Sequence, residues 1–332
     1  MKVRFLGKSG IRVSELCLGT MTFGPNIPMK KLGSLDQKEA NVIVDMAMDA
    51  GINFFDTADQ YSAGQSEEIL GKALGKRRKD VIIATKVRAR MSSNPNDVGL
   101  SRNHIVEGCD ISLRRLGTDY IDLYQVHSFD SHTPLEETLR TLDDLVRQGK
   151  VRYIGCSNFA GWQLMKALAV SSAQNLEKFI TLQAQYSLLT RDLEYELAPL
   201  CLDQGLGILT WSPLAWGALS GKYRRGKPRP QGARFSDPSS TFDEQKAYAI
   251  VDELDKIAAA HNATVPQAAL NYLLRKPAVT ALIIGVRTPE QMADNLKTVG
   301  WEMLPEEVAQ LDKISKPASL YPYAFLASGG HD

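Results

Sequence analysis

Residues 120–158 read YIDLYQVHSFDSHTPLEETLRTLDDLVRQGKVRYIGCSN and suggest a strand, a helix and a second strand in succession. The two ends, 120–127 and 151–158, are short, apolar and rich in β-branched and aromatic residues, which is typical of buried strands. Between them, Thr133 followed by a proline marks the start of a helix, and Gly149 marks its end. Such a unit predicts two neighbouring parallel strands connected by a helix.

Segments of the same strand-like kind recur along the whole chain. They lie at 15–20, 52–58, 81–86, 120–127, 151–158, 180–186, 206–212 and 279–285. Amphipathic helical stretches such as 36–51 separate them, so eight strand–helix units predict an α/β fold of the (β/α)8 TIM barrel type. A doubly wound dinucleotide-binding fold is the alternative, but ELCLGTMTFGPN (15–26) lacks the G-x-G-x-x-G motif of that fold.

The remaining segments are predicted to be additions to one barrel domain that spans residues 1–332. Residues 1–14 predict an N-terminal β-hairpin at the bottom of the barrel. A long loop rich in Gly, Pro and Arg covers 217–241, and an extra helix follows at 242–261. After Pro305 we expect a further helix and a surface segment. Long loops of this kind in a compact domain are often functional.

The overall composition excludes several classes of function. A net charge of +1 over 332 residues argues against a partner that is a nucleic acid or a membrane surface. No apolar run is long enough to cross a bilayer, and the N-terminus lacks the apolar core of a signal peptide. Widely spaced cysteines and histidines predict reduced thiols and no metal site. We therefore expect a cytoplasmic protein; the composition indicates no oligomeric state.

Four polar side chains follow consecutive predicted strands. Asp56, Lys86 and His127 stand at the ends of the second, third and fourth strands, and Tyr61 lies in the loop after the second. Barrel enzymes place their chemistry at these strand ends. A phenol has a pKa near 10, and a neighbouring ammonium is expected to lower it. Singly, each residue suits an ordinary turn or strand end; together they predict a proton donor aimed at a carbonyl group.

These residues and their surroundings resemble the aldo-keto reductase family, in the branch that includes bacterial reductases and potassium-channel β subunits. The similarity lies in FFDTADQY (54–61), SEEILGKAL (66–74), ATK (84–86) and the stretch 120–159. It implies hydride transfer from a reduced nicotinamide dinucleotide to a carbonyl carbon. Tyr61 would then act as the general acid, assisted by Lys86 and Asp56, while His127 orients the carbonyl. The family binds its dinucleotide without a Rossmann fold, which explains the missing glycine motif.

The resemblance also implies the contacts to the cofactor. Ser157, Asn158 and Gln183 would hold the carboxamide, whose groups both donate and accept hydrogen bonds, and Trp211 would stack on the nicotinamide ring. Arg287 would meet the 2′-phosphate, which favours NADPH, with NADH as the weaker alternative. Core packing is the other interpretation of Trp211, and a solvated arginine that of Arg287. The remaining cofactor contacts fall on Thr20, Met21, Asp56, Ser212, Pro213, Leu214, Gly217, Lys222, Arg234, Gly285, Gln291 and Asn295.

The loops at the mouth of the barrel are expected to form the substrate pocket. The predicted substrate contacts are Phe23, Tyr61, His127, Ser128, Phe129 and Trp216. The leading hypothesis is an NAD(P)H-dependent oxidoreductase that reduces small aldehydes or ketones to alcohols. The alternative is a nucleotide-binding regulatory barrel, similar to a potassium-channel β subunit, with little turnover. An unrelated barrel lyase or isomerase would follow if no nicotinamide nucleotide bound.

Overall fold

The computed structural model describes residues 1–25, 34–231, 235 and 242–328. An antiparallel pair comes first, β1 (Val3–Phe5) and β2 (Arg12–Ser14). Eight parallel strands then close a barrel in chain order, with the last strand against the first: β3 (Leu16–Gly19), β4 (Phe54–Asp56), β5 (Ile82–Val87), β6 (Ile121–Val126), β7 (Val151–Ser157), β8 (Thr181–Gln185), β9 (Gly207–Trp211) and β10 (Val279–Gly285). The predicted (β/α)8 barrel with its N-terminal hairpin is confirmed.

Helices connect the strands and continue beyond the last one. Those of the described residues are α1 (Gln37–Asp49), α2 (Gln65–Leu74), α3 (Arg102–Leu116), α4 (Leu135–Arg147), α5 (Gly161–Gln174), α6 (Leu197–Gln204), α7 (Glu244–Ala260), α8 (Val265–Leu274), α9 (Pro289–Leu296), α10 (Pro305–Ile314) and α11 (Tyr323–Ser328). None of the helices in the described ranges is long and apolar enough to cross a membrane.

The helix between the two strands of residues 120–158 illustrates how the sequence determines the packing. In α4, Leu135, Leu139, Leu142 and Leu145 recur at helical spacing and are all buried. Fully burying one leucine side chain contributes roughly 1.5–3 kcal/mol, so this face holds the helix in place. The helix begins just after Pro134, whose lack of an N–H group costs nothing at a helix start.

The hairpin closes the bottom of the barrel. Leu6 and Val13 are fully buried in an inner cluster that also contains Phe54. The turn approaches the strand starts so closely that a Cβ atom on Gly7 would lie 2.5 Å from the carbonyl oxygen of Ile180. Gly7 also has a φ of +60°, so glycine is required here on both grounds. The opposite end of the barrel, where the strands finish, holds an open cavity.

Candidate active site

Side-chain alternation along the strands places the polar residues inside the barrel. Phe54 belongs to the inner cluster, whereas Phe55 packs between the barrel and the helices. Because successive side chains of a strand point to opposite faces, Asp56 points inward like Phe54. On β5, Lys86 follows Ala84 of the inner cluster in the same way. The inward positions at the carboxyl ends of these strands are thus polar, while those below them are apolar.

A buried ion pair forms the floor of the site. Lys86 Nζ lies 2.6 Å from Asp56 Oδ1 and also donates to the backbone oxygen of Thr57 at 2.8 Å. The other carboxylate oxygen accepts from the side-chain amides of Gln183, at 2.7 Å, and Gln125, at 3.4 Å. Burial is the largest single influence on the pKa of Lys86 and lowers it, but the charges of Asp56 and Tyr61 and the hydrogen bonds to them together outweigh burial and raise the pKa above the ordinary value. Lys86 therefore stays an ammonium at neutral pH.

The Tyr61 hydroxyl lies 3.4 Å from Lys86 Nζ, which joins the phenol to the ion pair. Lys86 lowers the pKa of Tyr61 as expected, through its charge and its hydrogen bond, but the net shift is upward. Burial raises the pKa of this phenol and outweighs the lowering influence of the ammonium. Tyr61 is therefore protonated at neutral pH. Lys86 makes removal of that proton easier than it would be from an equally buried phenol without a neighbouring ammonium.

The segment after Tyr61 adopts an unusual backbone that other residues hold in place. Ser62 and Ala63 have φ values of 49° and 55°, in the left-handed region that non-glycine residues rarely adopt. Residues in such sparsely populated regions cost roughly 1–3 kcal/mol each. The Ser62 hydroxyl donates to the backbone oxygen of Gly24 at 3.1 Å, and Arg115 Nη1 donates to that of Asp59 at 3.4 Å. These contacts maintain a sharp turn that carries the phenol over Lys86.

His127 faces the same space from the end of β6. Its ring centroid lies 5.9 Å from that of Tyr61 in an edge-to-face arrangement. Burial lowers the pKa of the imidazole to about 3, and the positive charges of Lys86 and Arg88 act in the same direction. His127 is therefore neutral at pH 7. Its Nδ1 lies 3.2 Å from the side-chain nitrogen of Gln60.

Above these groups opens a cavity of about 480 Å³. Asp56, Tyr61 and His127 line it, whereas Lys86 is fully buried and contacts both Asp56 and Tyr61. Most of the other predicted site residues lie on the same lining: Met21, Ser157, Asn158, Gln183, Trp211, Ser212, Pro213, Leu214, Trp216, Gly217, Lys222, Gly285, Arg287, Gln291 and Asn295. Residues from at least six strand ends thus converge on one space.

Residues 15–316 match the model of the Aldo/keto reductase family. The chain belongs to the aldo/keto reductase family. It is 41% identical over 327 residues to the uncharacterized oxidoreductase YrpG of Bacillus subtilis, covering 95% of this chain and 96% of the relative. It is 34% identical to a versiconal hemiacetal acetate reductase of Aspergillus parasiticus, with 97% and 99% covered. A probable voltage-gated potassium channel subunit beta of Oryza sativa subsp. japonica is 37% identical, with 97% and 100% covered. The family and the oxidoreductase names indicate a carbonyl oxidoreductase.

Aldo/keto reductases use nicotinamide cofactors, and the donor set of the cavity fits one. Beside Asp56, the amide of Asn158 donates to Ser157 Oγ at 3.0 Å, and Trp211 Nε1 donates to Asn158 Oδ1 at 3.1 Å. Hydroxyl and amide groups match a carboxamide, which both donates and accepts. Lys222 and Arg287 add positive charge to the same lining. The site thus offers neutral polar groups for a nicotinamide and cations for phosphates.

The start of α9 provides further groups for an anion. Thr288 caps this helix by accepting a hydrogen bond from the backbone N–H of Gln291 at 3.3 Å. Arg287 stands one residue before the cap and is half-buried. Its backbone N–H is occupied by the side chain of Gln291, at 2.9 Å, so the guanidinium is the group through which it would reach a ligand. Helix starts attract phosphate because their N–H groups carry partial positive charge.

Some predicted residues stand away from the cavity lining. Thr20 is fully buried and its hydroxyl is engaged with the backbone oxygen of Asp56, at 3.1 Å. Phe23 is also fully buried, within the apolar core. Phe129 packs edge-to-face on Phe159 and Trp162. Like these three, Ser128 is absent from the lining in the described part of the chain. Arg234 lies outside the described residues.

Sequence reasoning missed two glutamines that touch the predicted catalytic residues. Gln125 is fully buried two residues before His127 and bonds Asp56, and Gln60 precedes Tyr61 and bonds His127. Strand alternation would have indicated Gln125, since it shares the inward parity of His127. Nothing in the sequence predicts the contact of Gln60, because its direction depends on the sharp turn around Tyr61.

A second, shallower depression lies elsewhere on the surface. It has a volume of about 620 Å³, and four of the nine residues that line it are basic: Lys76, Arg78, Lys79 and Arg114. Arg78 is already committed to Asp122, at 2.7 Å. The polar strand-end groups do not take part in it. Within the described residues, no group of three or more His, Cys, Asp or Glu side chains could hold a metal ion.

Proposed function

We propose that this protein reduces aldehydes or ketones to alcohols with NADPH, and that Tyr61 is the general acid. The observation that carries the proposal is the position of Lys86. This buried ammonium contacts the Asp56 carboxylate and the Tyr61 hydroxyl at once, at 2.6 and 3.4 Å, on the floor of an open cavity. The arrangement provides a proton donor whose conjugate base is stabilised by a fixed positive charge.

When bound, the reduced nicotinamide supplies the hydride that converts the carbonyl carbon to an alcohol carbon. Tyr61 gives its hydroxyl proton to the carbonyl oxygen, so the products are an alcohol and a phenolate. Lys86 stabilises that phenolate as it forms, and Asp56 keeps the ammonium in place. A raised pKa suits this role, because the phenol must be protonated before the reaction at neutral pH.

The neutral imidazole of His127 completes the proton-transfer site. Because its pKa is lowered to about 3, the ring carries a single N–H group at neutral pH. An N–H donor beside Tyr61 can hydrogen-bond the carbonyl oxygen and stabilise negative charge as it develops there. Such donors contribute to rate because they are already oriented before the reaction.

The cofactor preference rests on the groups around the cavity. Ser157, Asn158 and Gln183 would hold the carboxamide, and Trp211 would flank the ring. Gly217, with φ of +94°, allows the backbone to approach a phosphate closely in a loop that also presents Lys222. Arg287 at the start of α9 would pair with the 2′-phosphate of NADPH, so NADH should bind more weakly.

The test is a panel of small aldehydes and ketones, in which consumption of NADPH and of NADH is followed by absorbance. We expect substrate-dependent oxidation that is faster with NADPH at limiting cofactor concentration. A Tyr61→Phe variant should bind NADPH normally and reduce no substrate. Near-normal turnover by that variant would remove Tyr61 from the acid role.

A second candidate function follows from the potassium-channel β subunits among the relatives. In this alternative the barrel binds the nucleotide tightly and serves mainly as a regulatory partner. The same panel distinguishes the two functions. Tight NADPH binding with near-zero turnover of every substrate would favour the regulatory role, whereas rapid turnover of an aldehyde or ketone would favour the reductase.

A further inference from the structure

Gln60 holds one nitrogen of the His127 ring. The side-chain nitrogen of Gln60 lies 3.2 Å from His127 Nδ1, and Gln60 itself lines the cavity one residue before Tyr61. An amide nitrogen can only donate a hydrogen bond, so Nδ1 must accept it. A neutral imidazole has one N–H group, and the proton therefore resides on Nε2. Gln60 thus selects between the two tautomers of the ring.

The other neighbours of the ring do not select between its tautomers. Lys86 and Arg88 are cations, and both disfavour a charged imidazole without choosing between its neutral forms. Tyr61 contacts the ring edge-to-face, and Asn158 donates to the backbone oxygen of His127 at 3.0 Å rather than to the ring. Within the described residues, Gln60 makes the hydrogen bond that distinguishes Nδ1 from Nε2.

We propose that Gln60 is a positioning residue that fixes His127 as the Nε2–H tautomer, so that a hydrogen-bond donor faces the carbonyl oxygen. This inference rests on the reductase function proposed above. With the opposite tautomer, an unprotonated Nε2 would present its lone pair to the lone pairs of the substrate oxygen and would repel them. Gln60 acts through His127 and needs no contact of its own with the substrate.

Two substitutions at this exposed position distinguish the effect of the hydrogen bond from the effect of the size of the side chain. Gln60→Glu keeps the length of the side chain but offers only acceptors, so it should move the ring proton to Nδ1. The introduced carboxylate should also raise the pKa of His127, and a doubly protonated ring would regain its Nε2–H. Gln60→Met removes the hydrogen bond without adding a charge. Because Gln60 is exposed, neither change disturbs the core.

The direct test measures the ring nitrogens by ¹⁵N NMR, with a His127→Gln variant to assign the signals. We expect a protonated Nε2 and an unprotonated Nδ1 in the unsubstituted protein. The pattern should reverse in Gln60→Glu at neutral pH, and Gln60→Met should show a mixture. A protonated Nδ1 in the unsubstituted protein, or an unchanged pattern in Gln60→Glu, would overturn the proposal.

Kinetics provide a second readout that a purely structural role would not produce. At neutral pH, Gln60→Glu should lower kcat about a hundredfold, as loss of a donor to a developing oxyanion does, with the KM for NADPH unchanged. Gln60→Met should lower it roughly tenfold or less. The ratio of Gln60→Glu to unsubstituted activity should rise as the pH falls.

Equal losses in both variants with no recovery at low pH would contradict the proposal and indicate a direct substrate contact. The two proposals fail separately. Absence of any NADPH turnover in the unsubstituted protein would contradict the reductase function. The NMR pattern would still show whether Gln60 determines the tautomer of His127.

Discussion

The floor of the cavity, formed by Asp56 and Lys86, differs in its surroundings from the rim, formed by Lys222 and Arg287. On the floor, Asp56 and Lys86 are almost inaccessible to solvent, and the carboxylate is bonded by the lysine and by two glutamines. On the rim, Lys222 is exposed and Arg287 is half-buried. The floor lies inside the barrel, so its contacts form when the barrel folds. The rim instead presents charge outward to a ligand.

In the proposed function, proton transfer and the binding of the cofactor phosphates therefore depend on separate parts of the molecule. The groups of the floor are held by strands, so a substitution there affects stability and chemistry together. The groups of the rim stand on loops and on the start of α9, so a substitution there should affect binding alone. Substitutions in the two regions therefore test whether the effects on chemistry and on binding are separate.

The largest effect is expected on the floor, from Lys86→Met. The change leaves Asp56 as a buried charge without its partner, which should lower the free energy of unfolding by about 3–5 kcal/mol. It also removes the cation that stabilises the phenolate of Tyr61, so turnover should fall by about 10²–10⁴-fold. Denaturant unfolding and steady-state kinetics would check both effects. Lys86→Arg, which keeps the charge, is the matched control; unchanged stability in the Met variant would refute the pairing.

A smaller effect is expected on the rim, from Arg287→Ala. Loss of a charge-assisted hydrogen bond costs about 1.5–3 kcal/mol, which corresponds to a roughly 10- to 150-fold weaker Kd for NADPH. The Kd for NADH should barely change, because NADH has no 2′-phosphate. Fluorescence titration would measure both constants, with Arg114→Ala, in the second depression, as the control. If both cofactors lost affinity equally, Arg287 would not be the phosphate contact.

A third effect, a change in stability of about 1.4 kcal/mol for each pH unit, is expected beside the floor at Asp59. Burial, followed by the charge of Glu67, raises the pKa of this carboxyl from 3.8 to about 8. Apart from the backbone N–H of the neighbouring Gln60, its oxygens have no hydrogen-bond partner among the described residues. Between about pH 4 and pH 8 the folded state holds a proton that the unfolded state has lost, so stability falls as the pH rises.

Asp59→Asn removes this titration. The variant should gain stability relative to the unsubstituted protein as the pH rises through that window, and the difference should level off above about pH 8. Thermal unfolding across the pH range would measure it, with Asp203→Asn on the exposed surface of α6 as the control. A stability difference that is constant from pH 4 to pH 8 would show that Asp59 does not hold a proton in the folded state.

The sequence predicted the barrel well because the signals of its strands are local. Each of the eight predicted strand segments overlaps an observed strand, and Asp56, Lys86 and His127 lie at or next to the carboxyl ends of three of these strands. A buried strand needs only a short apolar run, and the inward direction of its last residues follows from alternation. The convergence of Asp56, Lys86 and His127 could therefore be predicted without knowledge of the loops.

Features that depend on loop geometry were beyond such reasoning. Phe23 is fully buried and Phe129 packs on other aromatic rings, because the loops after β3 and β6 turn these side chains away from the cavity. The net pKa of Tyr61 depends on how deeply the phenol is buried, which a residue pattern does not reveal. The contact of Gln60 with His127 needs the sharp turn at Ser62.

Single-turnover reduction at saturating NADPH, measured on Tyr61→Phe and Arg287→Ala together with the Kd for NADPH, tests the division between floor and rim most directly. We predict that Tyr61→Phe keeps its Kd and loses the turnover rate. Arg287→Ala should lose affinity and keep the rate once it is saturated. If each variant lost both rate and affinity, or if Tyr61→Phe kept its rate, the separation of proton transfer from cofactor binding would be contradicted.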